Sequence, residues 1–165
     1  MINKLTGKLQ IEIYRETNNP MPEYKKDGDA GMDIRSNVDI KIRAFNWTTI
    51  DTGLYFVIPY GYEGQVRSRS GLAAKFGLQV LNSPGTIDSG YRDELKIIMI
   101  NHNHIPYDIK IGDRIAQLVI KPVIMSEMVE IDKPTHIIES LTENRGGGLG
   151  STGVKYWLNQ IQNIM

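Results

Sequence analysis

One acid and one phenol stand three residues apart in Asn82-Ser83-Pro84-Gly85-Thr86-Ile87-Asp88-Ser89-Gly90-Tyr91-Arg92. A carboxylate at Asp88 can take a proton from water, and the ring of Tyr91 can pack against a sugar or a base. Pro84-Gly85 and Ser89-Gly90 are turn signals on either side of Thr86-Ile87-Asp88. They can leave main-chain N–H and C=O groups facing a cavity, able to read a flat ligand edge. Taken alone, the same residues serve equally as a turn acid and a half-buried strand tyrosine.

Other stretches carry comparable groups. Gly28-Asp29-Ala30-Gly31-Met32-Asp33 sets two carboxylates four residues apart around a glycine, by itself a polar turn. Arg67-Ser68-Arg69-Ser70-Gly71 brings two guanidinium groups and two hydroxyls to the entrance of a short helix. Free N–H groups there attract a phosphate; a capped surface helix is the plainer alternative. Gly112-Asp113-Arg114-Ile115-Ala116-Gln117-Leu118 begins as a turn and ends as a strand. Strict alternation places Arg114, Ala116 and Leu118 on one face, with Ile115 and Gln117 on the other. Residues 144–153 hold five glycines with Arg145, Ser151 and Thr152, either a flexible linker or N–H groups that wrap a polyphosphate. Asn101-His102-Asn103-His104 has no third metal ligand nearby and reads as a surface turn.

The elements that must position these groups are short. Apolar periodicity and flanking turn residues predict strands over 9–14, 38–42, 48–50, 54–58, 65–67, 78–81, 95–100, 114–123 and 127–131. A turn cluster is expected over 59–64, and 82–92 is read as a hairpin loop between its flanking strands. One helix is expected over 70–76, capped by Ser70 and stopped by Gly77. Many short strands and one short helix predict an all-β barrel or sandwich.

At 165 residues and 41% hydrophobic content the chain suits one domain with a real core. No apolar run approaches the ~18 residues of a membrane span, and none follows Met1 as a secretion signal. Zero cysteines rule out disulfides and thiol catalysis, which fits a cytoplasmic protein. With 19 basic and 19 acidic side chains, binding to nucleic acid or a membrane surface is not expected.

Five segments in this order resemble the motifs of the trimeric dUTPase family: DAGMD, RSGLA, LNSPGTIDSGYR, GDRIAQL and RGGGLGSTG. What the resemblance implies is a jelly-roll-like β-barrel, a homotrimer with sites at subunit boundaries, and Mg²⁺-dependent hydrolysis of dUTP to dUMP and pyrophosphate. It also divides the chain into a barrel over 1–140, a phosphate-clamp arm over 141–153 and an extension over 154–165. By the same resemblance, Asp88 is similar to the carboxylate that deprotonates the attacking water, and Arg69 to the arginine that braces that acid. Tyr91 is similar to the ring under the deoxyribose. Asn82, with the backbone of Gly85, Thr86 and Ile87, is similar to the uracil-reading edge. Ser70 and Gly71 resemble phosphate-chain contacts. Asp33 and Gln117 resemble the residues that hold waters on Mg²⁺. Arg145, Gly150, Ser151 and Thr152 resemble the γ-phosphate clamp, with Leu149 over the base.

Three positions depart from the pattern. Leu149 stands where the family usually has an aromatic, so it can cover a base but not stack on it. Arg145 falls one place late unless one glycine is deleted, and Asp93 stands where glycine is usual. A dCTP deaminase shares the scaffold, but its general-base glutamate would fall at Ile98 and a second serine at Gly71. The remaining alternative is an inactive nucleotide-binding or regulatory protein. In the last residues, Val154, Trp157, Leu158 and Ile161 lie at helical spacing, a stripe able to dock.

Overall fold

The computed structural model describes residues 7–130 of the chain. Their order is β1 (Glu12–Arg15), β2 (Met32–Arg35), β3 (Ile40–Ile42), β4 (Trp47–Asp51), β5 (Leu54–Val57), β6 (Tyr62–Arg67), α1 (Ser70–Phe76), β7 (Leu78–Val80), β8 (Gly85–Ile87), β9 (Lys96–Asn101), β10 (Tyr107–Ile109) and β11 (Arg114–Pro122). The described chain is thus all-β with one short helix. The described residues up to Met125 form one compact unit. The second unit begins at Ser126, and its described residues, 126–130, carry no regular structure. No described helix is long and apolar enough to cross a membrane.

Every ladder is antiparallel. The four-stranded sheet runs β2-β11-β6-β8 and the three-stranded sheet β4-β9-β7, with β1-β5 and β10-β3 as two-stranded pairs. Burial alternates at period two in β6 and β9. In β9, Ile97, Met99 and Asn101 turn inward and are buried, with Ile98 and Ile100 half-buried on the opposite face. Ile34, Ile50, Leu78, Ile97 and Leu118 lie at the fully buried centre of the core. Truncating one of these to alanine costs about 2–5 kcal/mol.

Several expectations are corrected. The strand at β2 escaped the sequence pattern, because the polar run before it hides where extension begins. Residues 85–87 are not bare loop but β8, paired with β6 through Val66↔Gly85 and Gly64↔Ile87. The expected turn cluster over 59–64 ends early, since β6 already starts at Tyr62, and β10 is a strand that was not expected. The strand expected over 127–131 is absent from residues 127–130, and Ile131 lies outside the described residues. Ser70 is the first helical residue rather than the cap. Arg69 holds the cap position and makes no side-chain cap bond, whereas Gly77 does end the helix in the left-handed region.

Candidate active site

The hairpin from β7 to β9 lines a cavity of about 270 Å³ with Asn82, Gly85, Thr86, Ile87, Tyr91, Lys96 and Ile98. β8 is the last strand of its sheet, so its outer edge lies outside the ladder with backbone polar groups free to meet a ligand. Gly85 is needed here, because a Cβ on it would sit 2.9 Å from the Asn82 amide nitrogen. The close approach lets Asn82 lie against the strand edge, and the Ser83–Pro84 peptide beside it is cis. Asp88 follows directly on this lining. Its carbonyl accepts from the Tyr91 amide at 3.1 Å, and its exposed carboxylate has no partner among the described residues. Asp93, standing where glycine was expected, has no positive φ; Phe45 is the only non-glycine described residue that does.

A second cavity, of about 380 Å³, is lined by polar groups: Asp33, Arg69, Ser70, Gly71 and Gln117 with Lys25. Asp33 on β2 and Gln117 on β11 are cross-strand partners, so they share a face. A β-bulge between Arg114 and Ala116 shifts the alternation and turns Arg114 onto that face too. The expected grouping of Arg114 with Ala116 and Leu118 is therefore wrong. Its Nη1 lies 3.3 Å from Asp33 Oδ2, while Arg69 Nε lies 2.9 Å from Asp33 Oδ1. Gln117 Nε2 donates to the Ser68 carbonyl at 2.9 Å. That leaves Gln117 Oε1 against Gly31, where a Cβ would come within 2.5 Å of it. The other acid of the first segment, Asp29, does the work of a turn residue, accepting from the amides of Lys25 and Lys26.

The two cavities share no lining residue, so one chain gathers the sequence-selected residues into two groups. Arg69 was expected to brace Asp88. Within one chain it is instead held by Asp33 and by the Arg114 carbonyl, at 2.9 and 2.8 Å. Ser68 joins the groups: its carbonyl takes Gln117, its hydroxyl accepts from the Val80 amide at 3.0 Å, and its amide donates to Ser83 Oγ at 3.3 Å. Nothing in the sequence separates Ser68 from its neighbour Ser70; the role of Arg114 was hidden by the bulge. His102 bonds Gln79 at 3.0 Å, and buried Asn101 bonds the Asn103 amide, so this string is a structural turn. Arg145, Leu149, Gly150, Ser151, Thr152 and the expected helix over 154–165 lie outside the described residues.

The profile of the dUTPase family matches residues 17–153. Among curated proteins, a deoxyuridine 5'-triphosphate nucleotidohydrolase of Nautilia profundicola is 47% identical over 81% of this chain and 90% of its own. One of Wolbachia from Brugia malayi is 45% identical over 89% and 96%. Among solved structures, a Staphylococcus bacteriophage 80alpha dUTPase variant with dUpNHpp superposes at a TM-score of 0.78 with 28% identity, over 89% of this chain and 100% of that one. A dUTPase from phage phi11 of S. aureus, described for coordination of a structural Mg(II) ion, gives 0.70 at 27% identity over 76% and 98%.

Proposed function

This chain belongs to the dUTPase family, and on that premise we propose that it hydrolyses dUTP to dUMP and pyrophosphate. The observation that carries the reading is the Asp88 carboxylate, without a partner among the described residues, directly following a strand edge that lines a cavity with an amide and a tyrosine ring. Asn82 and the outer edge of β8 read the uracil, which carries both donors and acceptors on one rim. Tyr91 lies under the deoxyribose and crowds a 2′-hydroxyl. Asp88 accepts the proton of a water as that water attacks the α-phosphorus, and pyrophosphate leaves in line. Ile98 lines the cavity where the deaminase would need its general base, so deamination is not favoured.

The second cavity suits the charged end of the substrate. Ser70 and Gly71 offer a hydroxyl and backbone N–H groups to the phosphates. Asp33 and Gln117 present only oxygen donors, and each Asp33 oxygen accepts one guanidinium contact, leaving lone pairs for water. No cluster of three metal-ligating side chains exists among the described residues. That donor set fits Mg²⁺ held mainly by the triphosphate, with Asp33 and Gln117 bound to its waters. When bound, the ion neutralises phosphate charge and orients the chain of phosphates.

The separation of the two groups supports a homotrimer of jelly-roll barrels, in which one subunit's hairpin cavity meets a neighbour's charged cavity. Arg69 then reaches Asp88 across that boundary, and the arm over 141–153 closes over the triphosphate through Arg145, Ser151 and Thr152. The test is pyrophosphate release from dUTP with dCTP, dTTP and UTP as controls, together with a solution mass. Turnover confined to dUTP by a trimer is expected. Turnover of dCTP at the same rate, or full activity as a monomer, contradicts the reading.

A further inference from the structure

Tyr91 lines the hairpin cavity and is 38% exposed. Its hydroxyl donates to the Glu94 carbonyl at 2.8 Å, closing a short loop of chain on itself. What matters next is how firmly that carbonyl is held. The Glu94 side chain is only 17% exposed and points the other way, toward the turn between β4 and β5. Its Oε1 accepts from the amides of Thr52 and Gly53, at 3.1 and 2.8 Å. Its Oε2 lies 3.2 Å from Lys96 Nζ, which also meets Asp51 at 2.7 Å. Asp51, and after it Glu94, holds this ammonium above the usual lysine range. The next residue, Leu95, donates its amide to the Leu54 carbonyl at 2.7 Å and accepts from the buried Thr52 hydroxyl.

We propose that Glu94 is a positioning residue for sugar selection: it fastens the hairpin to the β4–β5 turn and, through its carbonyl, fixes the ring of Tyr91. The proposal rests on the reading of Tyr91 as the residue facing the sugar. The chemistry of the position is demanding. One carboxylate oxygen must accept from two adjacent N–H groups while the other meets an ammonium, which calls for an acceptor oxygen on both sides. Glutamine keeps one acceptor but turns an NH₂ group toward Lys96. Aspartate is one methylene too short to reach the turn while leaving the carbonyl in place. With the tether loosened, the Tyr91 side chain spreads over its other staggered rotamers, and the fraction in the sugar-facing one falls. A site competent only part of the time binds more weakly by that fraction.

The experiment compares kcat/KM for dUTP with that for UTP in Tyr91→Phe, Glu94→Gln, their combination and Tyr91→Ala, with thermal unfolding of each. Tyr91→Phe leaves the packing intact and removes only the tether, so the test stands even if Glu94→Gln folds poorly. Tyr91→Phe and Glu94→Gln are each expected to lower the dUTP:UTP ratio about three- to tenfold, with the Glu94→Gln effect falling on KM rather than kcat. The combined variant should discriminate no worse than the weaker single one, because both break the same link. Effects that multiply, or a Glu94→Gln protein with the wild-type ratio, overturn the proposal. If Tyr91→Ala itself leaves the ratio unchanged, the sugar-facing reading of Tyr91 is what fails. If Tyr91→Ala lowers it while Tyr91→Phe and Glu94→Gln do not, only the tether is wrong.

Discussion

Replacing Asp33 by asparagine should loosen the protein and disable it together, because one carboxylate is held between two guanidinium groups. Its oxygens lie 2.9 Å from Arg69 Nε and 3.3 Å from Arg114 Nη1. Asp33 and Arg69 are 19% and 25% exposed, so their pair sits between a surface contact and a buried one. Arg114, at 47%, is screened by water and contributes a few tenths of a kcal/mol at most. Asparagine keeps one acceptor but loses the charge, and leaves two guanidinium groups facing each other. The sum is about 1–2 kcal/mol, between the limits for exposed and buried ion pairs. For a chain of this size that lowers Tm by roughly 2–8 °C. Calorimetry at one fixed protein concentration measures it, since association would otherwise shift Tm as well. The Mg²⁺ concentration giving half-maximal pyrophosphate release should rise in the same variant. A Tm unchanged within about 1 °C, with an unchanged Mg²⁺ requirement, would refute the idea that Asp33 organises this cavity.

Other perturbations probe other parts of the account. Gly85→Ala places a methyl 2.9 Å from the Asn82 amide, so Asn82 must swing away from the strand edge; KM for dUTP should rise about tenfold with little change in Tm, and steady-state kinetics would show it. Ending the chain before Asn144 should remove most activity, whereas ending it after Gly153 should mainly weaken substrate affinity. Activity of the shorter chain equal to that of the whole protein would remove the phosphate-clamp role from Arg145, Ser151 and Thr152. Leu149→Phe should tighten dUTP binding, measured by titration with a non-hydrolysable analogue, because a ring can stack where leucine only covers.

Much of the architecture was legible because β-strands leave local marks, as period two does over 9–14 and the unbroken apolar run Ile97-Ile98-Met99-Ile100 does in β9. Where the signal failed, a local event had broken the period. The bulge after Arg114 adds one residue to a strand, and no alternation rule can foresee which face the chain then shows. β2 was missed because Asp33 and Arg35 make its outer face as polar as the turn before it. The hairpin acid and ring stood out from glycine, proline and spacing, since turn chemistry is local. The partners of those residues did not. Glu94 acts on a turn about forty residues away, and Asp33 meets Arg69 and Arg114 only after three separate segments assemble. Such contacts are set by tertiary packing, which leaves no mark at fixed spacing.

The most direct test of the central claim is single-turnover hydrolysis of dUTP by Asp88→Asn, with binding of a non-hydrolysable analogue measured on the same preparation. The variant keeps the shape of the hairpin and loses the one carboxylate placed to take the water's proton. The account predicts a rate lower by about 10²–10⁴-fold with analogue affinity nearly unchanged. A variant that releases pyrophosphate at the wild-type rate would show that another group activates the water.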